Sequence, residues 1–524
     1  MQKFHLNRTE TGVSITSGSR AGPQSQIIVD ADGDGIAFNG KPILTQAEAA
    51  ANLNRTGAIW DVGPRGVITY SFAEHSPGGQ YNSPKNAGDL GLTVSQFSAF
   101  TPEQRIAARE AIGLWDDLIS VKFVEKNGAG ADIVYMNTGE GGPAQAAAYT
   151  PFYAGTHGKF GKIQGDVFVD GLESSNFDVA PGGYGQTTLV HETGHAIGLS
   201  HPGDYNFGAD ANGDGIPDPI TYDSSAYFFQ DSYEYTIMSY FAADNTGSTG
   251  FVNWGTGGYY QTPQTPMLDD IAAVQAMYGA DTTTRLGSTT YGFNSTAGRD
   301  VYDFAVNKNP FLTIYDAGGE HDKLDLSGWS VDATLDLNAG HFSSGYTKGD
   351  AGQLNSLYGT NFSQATWDAI YAGKTSNPGF LSDNIGIAYN TTIEDGATGS
   401  GRDLLIGNSV ANILDGGAGN DTYTGGAGAD TFVFGQIGYT DTITDFQRGL
   451  DHIDLHLIDA NTQKAGDQAF RFVGTGAFTK AGDLHLSTDV SGNTFLSGDV
   501  DGDHVADFAI NLGHVLVGAG DMLY

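Results

Sequence analysis

Residues 191–201 read HETGHAIGLSH, and five of them carry chemistry: His191, Glu192, His195, Gly198 and His201. Histidines four residues apart on a helix project from one face. Two such imidazoles can share a zinc ion, with Glu192 beside them as a base for a nearby water. His201 lies six residues past His195. On a continued helix it would sit ~240° around and ~9 Å further along. Zinc–nitrogen distances of ~2.1 Å forbid that position from closing the same shell. The helix must therefore break before His201. Gly198 stands in the gap, and glycine adopts the left-handed conformation that ends helices. With 13 His, 61 Asp plus Glu and 76 Gly in 524 residues, chance gives this pattern in roughly one such chain in ten thousand. Burying three imidazoles and an acid without a cation would be costly. The chemistry implied is zinc-assisted hydrolysis with Glu192 as general base.

Elements must hold that window in place. Segments 43–56 and 101–119 predict helices. The second has a threonine cap, Pro102 in the first turn, and apolar Ile106, Ile112, Trp115 and Ile119 near helical spacing. Strand-like stretches follow at 67–72, 131–136, 146–152 and 166–170. Residues 267–278 predict a closing helix. Together with the helix that carries His191 and His195 these make an α+β domain over 26–285. The first 25 residues are polar and without periodicity, and read as a flexible arm or short prosegment. Segment 146–152 is a candidate edge for an extended peptide, although an ordinary sheet strand reads the same way.

From residue 286 helical periodicity fades and Gly, Asp, Asn and Thr rise. Nine-residue blocks start at Gly399: GSGRDLLIG, NSVANILDG, GAGNDTYTG and GAGADTFVF. Their fifth positions are Asp403, Asn412, Asp421 and Asp430; their seventh are Leu405, Leu414, Tyr423 and Phe432. Such blocks build a parallel β-roll whose turns bind calcium and whose seventh side chains pack inward. The candidate ligands are Gly399, Gly401, Asp403, Gly417, Gly419, Asp421, Gly426, Gly428 and Asp430. An all-β parallel roll or sandwich is expected over 286–524. Three further acidic loops are incomplete as EF-hands. Loop 30–35 has Lys41 at the twelfth position, loop 210–218 has Thr221 there, and loop 499–507 has His504 where glycine is needed.

The formal charge is −37 and the isoelectric point is near 4.3, which argues against nucleic acid and anionic membranes as partners. Acidity with abundant glycine suits bound calcium. The chain has no cysteine, so metal rather than disulfide must supply any cross-link. The N-terminus lacks the apolar centre of a secretory signal peptide, and no apolar run is long enough to span a bilayer.

Residues 236–241 read TIMSYF, some 37 residues past the helix. With HETGHAIGLSH, the HPGDYN of 201–206 and the junction at 267–304, this resembles the serralysins, secreted bacterial zinc proteases of metzincin fold. The resemblance implies a methionine turn at Met238 beneath the zinc, with Tyr240 as a further zinc ligand. Tyr240 would leave the metal on substrate binding and donate to the oxyanion. It also implies calcium ligation by Arg285, Gly287, Asp316, Gly319, Asp322, Thr392 and Glu394, through side chain or carbonyl. The terminal DMLY is similar to the signal these proteases present to a type I exporter, which implies an extracellular protein made without a signal peptide. Expected partners are protein substrates, that exporter and a proteinaceous inhibitor, with the chain a monomer. Two departures stand out: residues 348–380 look like an insertion, and only two full GGxGxD copies occur. The expected activity is a secreted, calcium-stabilised zinc endopeptidase. The alternatives are a non-catalytic calcium-binding repeat protein of the cell surface and a zinc hydrolase with non-peptide substrates.

Overall fold

The computed structural model describes residues 2–4, 35–62, 66–77, 94, 96–127, 130–139, 145–151, 163–206, 218–253, 258–349, 351–371 and 380–524. The N-terminal half is built on one sheet of strands β1 (Gln2–Phe4), β2 (Val67–Phe72), β3 (Lys122–Glu125), β4 (Ile133–Thr138), β5 (Ala146–Ala148) and β6 (Val167–Asp170). Their spatial order is β1-β5-β6-β4-β2-β3. β2, β3, β4 and β6 are parallel, whereas β5 runs antiparallel to β6 and β1 antiparallel to β5. The four strands expected from sequence are β2, β4, β5 and β6. The third is shorter than expected, ending at Ala148. Most of segment 1–25 and of loops 30–35 and 210–218 lies outside the described residues.

Four helices cover this sheet: α1 (Gln46–Leu53), α2 (Pro102–Asp116), α3 (Tyr184–Ala196) and α4 (Leu268–Tyr278). α2 starts at a capping box, in which the Thr101 hydroxyl accepts from the Gln104 amide and the Gln104 side chain accepts from Thr101 N–H. Its buried stripe is not quite the expected one. Ile106 is 60% exposed, and Ile119 lies beyond the helix. Ala107, Ala108, Ala111, Leu114 and Trp115 face the core with Ile112. The small alanines let α2 approach the sheet closely, which a stripe of large residues would prevent. The core runs without a break from Trp115, Ile133 and Val190 to Tyr291, Leu324 and Leu405.

The second half is a stack of short strands. Consecutive nonapeptide blocks fall on opposite faces, so residues 18 apart pair. Leu405 lies beside Tyr423 in one sheet and Leu414 beside Phe432 in the other, all in parallel register. These four side chains are at most 1% exposed, as their position in the repeat predicts. Met522–Leu523 closes the second sheet beside His452–Asp454. The insertion carries α5 (Ala351–Tyr358) and α6 (Gln364–Tyr371), whose Leu354 and Trp367 are buried. No described helix is long and apolar enough to cross a membrane.

Candidate metal and active site

α3 is an unpromising helix taken alone. It holds glycines at 185 and 194 and β-branched residues at 187, 188, 190 and 193, all poor helix formers. Tertiary contacts hold it instead. Every residue from Gly185 to Ala196 is buried. The Trp115 indole donates to Val190 O at 3.1 Å, and the Trp60 indole to Ala196 O at 2.9 Å. Tyr278 from α4 donates to Ile197 O at 2.6 Å. Carbonyls that a helix end leaves unsatisfied are thus met by side chains.

The expected break is present. α3 ends at Ala196, and Gly198 has φ +117°. A Cβ there would lie 2.3 Å from the carbonyl oxygen of Ala58. His201 consequently turns back toward the helix. The Nε2 atoms of His191 and His195 lie 3.1 Å apart, and so do those of His195 and His201.

Each Nδ1 faces a backbone carbonyl: His191 donates to Ile237 O at 2.8 Å, His195 to Leu199 O at 2.8 Å and His201 to Tyr205 O at 3.0 Å. Carbonyls only accept, so each imidazole carries its proton on Nδ1 and turns the acceptor Nε2 toward the other two rings. Three lone pairs at this separation repel and cannot hydrogen-bond to one another. A tetrahedral zinc site places ligand nitrogens at about 3.4 Å from each other, so the donor set fits that ion. Burial lowers the pKa of His191 to about 3 and holds His195 and His201 well below the usual range, which keeps them in the neutral form that binds metal. They form one of two clusters among the described residues with metal-ligand geometry.

Glu192 is fully buried, and among the described residues neither carboxylate oxygen has a hydrogen-bond partner. Burial pushes its pKa well above the usual range. An orphaned acid beside three ligand nitrogens is poised to take a proton. Met238 is fully buried under α3, and a Cβ on Gly194 would come within 2.6 Å of its sulfur. The turn can approach the helix only because residue 194 is glycine. Tyr240 sits with its ring 4.5 Å from that of His201 and 6.3 Å from that of His191.

Several residues of this site were not singled out by the sequence reading. Asp270 accepts from the Thr236 hydroxyl and from the amides of Ile237 and Met267, all within 2.8 Å. Asp231 accepts from Tyr205 and Ser239. Arg55 donates to His201 O and, at 2.9 Å, to Gly203 O. Gly194 had a legible signal, since a glycine in a helix interior costs about 1 kcal/mol relative to alanine. The others are single charged residues far along the chain, with no local pattern to mark them.

The candidate calcium residues fall into two groups. In the first, a Cβ on Gly319 would lie 2.8 Å from Gly287 O and 2.9 Å from Asp322 Oδ2, so these three groups converge. Asp322 Oδ2 is buried and unpartnered. Asp316 accepts from Tyr291 OH at 2.7 Å, and Glu394 accepts from Asp322 N–H at 2.9 Å. The Arg285 guanidinium is committed to Asp117, Ala297 O and Tyr315 O, leaving only its carbonyl for a cation. Thr392 is exposed, and its neighbour Thr391 bonds the Asp316 backbone instead.

In the second group, one carboxylate oxygen caps the coil 18 residues earlier. Asp421 Oδ1 accepts from Asp403 N–H and Asp430 Oδ1 from Asn412 N–H, both at 2.9 Å. The other oxygen of Asp403 and of Asp430 is buried with no partner among the described residues. Gly417, Gly419, Gly426 and Gly428 have φ between +70° and +150°. Side chains there would collide with the carbonyls of Gly399, Gly401, Asn408 and Val410. Asn412 differs from its aspartate counterparts. Its amide nitrogen donates to Glu394 O at 2.8 Å and to Asn408 Oδ1, so the protein itself supplies the positive partner. The ladder extends past the expected array to Asp441 and Asp451, which cap Asp421 and Asp430. In loop 499–507, Asp499, Asp501 and Asp507 converge, and backbone amides at 500, 502 and 504 already satisfy Asp499 and Asp507.

Known proteins carry the same framework. A family model described as Peptidase M10 serralysin C terminal matches residues 280–349 and 346–523. The chain is 36% identical over 501 residues to "Metalloprotease AprA" of Pseudomonas entomophila, covering 91% of this chain and 90% of that one. It is 34% identical to "Metallopeptidase AprA" of Pseudomonas marginalis, with 91% of each chain covered. It is 35% identical to "Serralysin" of Photorhabdus luminescens, over 85% of this chain and 79% of the relative. A match of this identity across both halves leaves one assignment: the chain belongs to the serralysin family of metalloproteases.

Proposed function

We propose that this metalloprotease is a secreted zinc endopeptidase whose roll is stabilised by calcium. The observation that carries the zinc reading is the convergence of the three Nε2 atoms, each imidazole fixed by an Nδ1–H bond to a carbonyl. A zinc ion held by His191, His195 and His201 supplies Lewis acidity toward water and toward a peptide carbonyl. Glu192 takes the proton from the attacking water and returns it to the leaving amine. Tyr240 would add its phenol oxygen to the residues that hold the ion, and its hydroxyl would donate to the oxyanion as it develops. Residues 26–285 form the protease unit and 286–524 the calcium-binding unit. Unpartnered oxygens on Asp322, Asp403 and Asp430 support calcium there. Export by a type I system through the terminal DMLY agrees with a roll that folds only once calcium is met.

β5 is the edge that receives an extended substrate by strand addition. β1 covers that edge, with Gln2 opposite Ala148 and Phe4 opposite Ala146. This supports reading the N-terminal segment as a prosegment that competes with substrate.

Metal analysis joined to casein digestion tests the site. The wild type should bind near one equivalent of zinc and degrade casein. Glu192→Ala should keep zinc and lose turnover, and His195→Ala should lose both. Full zinc occupancy in His195→Ala would overturn the ligand assignment, and casein turnover by Glu192→Ala would overturn the base.

A further inference from the structure

Two separate segments meet at the proposed metal site, and one buried carboxylate joins them. The first segment carries His201 and Tyr205. The Tyr205 carbonyl accepts from His201 Nδ1 at 3.0 Å. Its ring stacks on the His201 imidazole, 5.6 Å between centroids and 11° between planes. One residue thus fixes both the tautomer and the plane of the imidazole. The second segment carries Met238, Ser239 and Tyr240. The Tyr205 ring also lies 5.1 Å from that of Tyr240.

Asp231 sits where the two segments touch. Its Oδ1 accepts from Tyr205 OH at 2.7 Å and from Ser239 OH at 2.8 Å. Ser239 in turn accepts from Phe241 N–H at 3.1 Å, so the backbone on either side of Tyr240 is tied to this point. Asp231 is 0% exposed, and its Oδ2 has no partner among the described residues. Leaving a carboxylate oxygen unpartnered in the interior is costly, and packing alone would be better served by an apolar residue. A carboxyl oxygen has two lone pairs, enough to accept from both hydroxyl donors.

We propose that Asp231 is a positioning residue for the protease reaction: through Tyr205 and Ser239 it sets where the Tyr240 phenol stands relative to the metal held by His201. This rests on the reading of Tyr240 given above. Neither Asp231 nor Tyr205 need touch substrate. A displacement of about 1 Å at a group serving the transition state can cost about a hundredfold in rate, so a rigid tie has kinetic value.

Copper provides a readout independent of turnover. A phenolate bound to Cu²⁺ gives a charge-transfer absorption, so the full chain stripped of metal and loaded with Cu²⁺ reports Tyr240 directly. Tyr205→Phe keeps the ring and removes only the tie. It should shift or weaken the band and lower kcat by about tenfold, with KM within about twofold. Ser239→Ala should act in the same direction. Asp231→Asn, which keeps an acceptor oxygen, should retain more of the band than Asp231→Ala. In a Tyr240→Phe background, Tyr205→Phe should change kcat by less than about twofold, because the tie then has nothing to position. An unchanged band and kcat in Tyr205→Phe would overturn the tie while leaving Tyr240 intact. So would an equal loss of kcat in both backgrounds. A Tyr240→Phe variant with wild-type kcat and band would overturn the role of Tyr240 itself, and the tie with it.

Discussion

Asp270 and His191 are linked through the backbone of one residue, Ile237: Asp270 Oδ2 accepts the Ile237 N–H at 2.7 Å, and Ile237 O accepts from His191 Nδ1 at 2.8 Å. α4 thereby helps orient His191 on α3 through the backbone of Ile237. Partners behind a ligating histidine fix its tautomer and its direction. Asp270 is fully buried, and burial raises its pKa to about 7 despite three donors that oppose the shift.

Replacing Asp270 by Asn should therefore be costly. An Asn amide would set a donor against an N–H or hydroxyl donor in the interior. A loss of about 2–4 kcal/mol is expected, read as a lower melting temperature. Faster zinc release to a chelator should accompany it. A variant that melts as wild type and holds zinc equally would refute the linkage.

Tyr240→Phe should lower kcat by about a hundredfold and change KM little, because the lost hydroxyl serves the transition state rather than substrate binding. Steady-state kinetics on a fixed peptide checks this. An unchanged kcat would make Tyr240 a packing residue.

In chelator, the stability of the roll should fall as pH rises. Burial raises the pKa of Asp421 to about 8, and of Asp403 and Asp441 to about 6. Neighbouring carboxylates push Asp421 further. The unfolded chain releases these protons near about pH 4. Between about pH 4 and pH 8 the folded roll thus holds protons that the unfolded chain has lost, and stability decreases with rising pH. Millimolar calcium should reverse the slope, since the cation binds the ionised form. Thermal melts followed by circular dichroism, with and without calcium, give both signs. A metal-free melt that rises between pH 5 and pH 8 would count against the raised carboxyl pKa values.

Removal of residues 1–25 should raise the initial rate on unstructured protein substrates if β1 shields β5. A synthetic peptide of the N-terminal segment should then inhibit the shortened enzyme competitively. Equal initial rates for the two forms would mean that the edge is not blocked.

Local chemistry was legible from the chain alone. Three histidines, a glutamate and a glycine at set spacing dictate a helix, its end and the convergence of three imidazoles. The helix and its end follow from 3.6 residues per turn and from the left-handed freedom of Gly198. The period of nine in 399–434 dictated the inward path of Leu405, Leu414, Tyr423 and Phe432 in the same way. These features are encoded within a few residues of themselves. What surrounds them is not. Ile106 reads as core yet faces solvent, because a neighbouring alanine stripe packs closer. Asp231, Asp270 and Arg55 look like ordinary surface charges in a chain with 61 acids and 24 basic residues. They act at the site because folding buries Asp231 and Asp270 beside their donors and brings Arg55 against the carbonyls of His201 and Gly203. Which acid meets which donor depends on long-range packing, and that was decided only when the helices closed over the sheet.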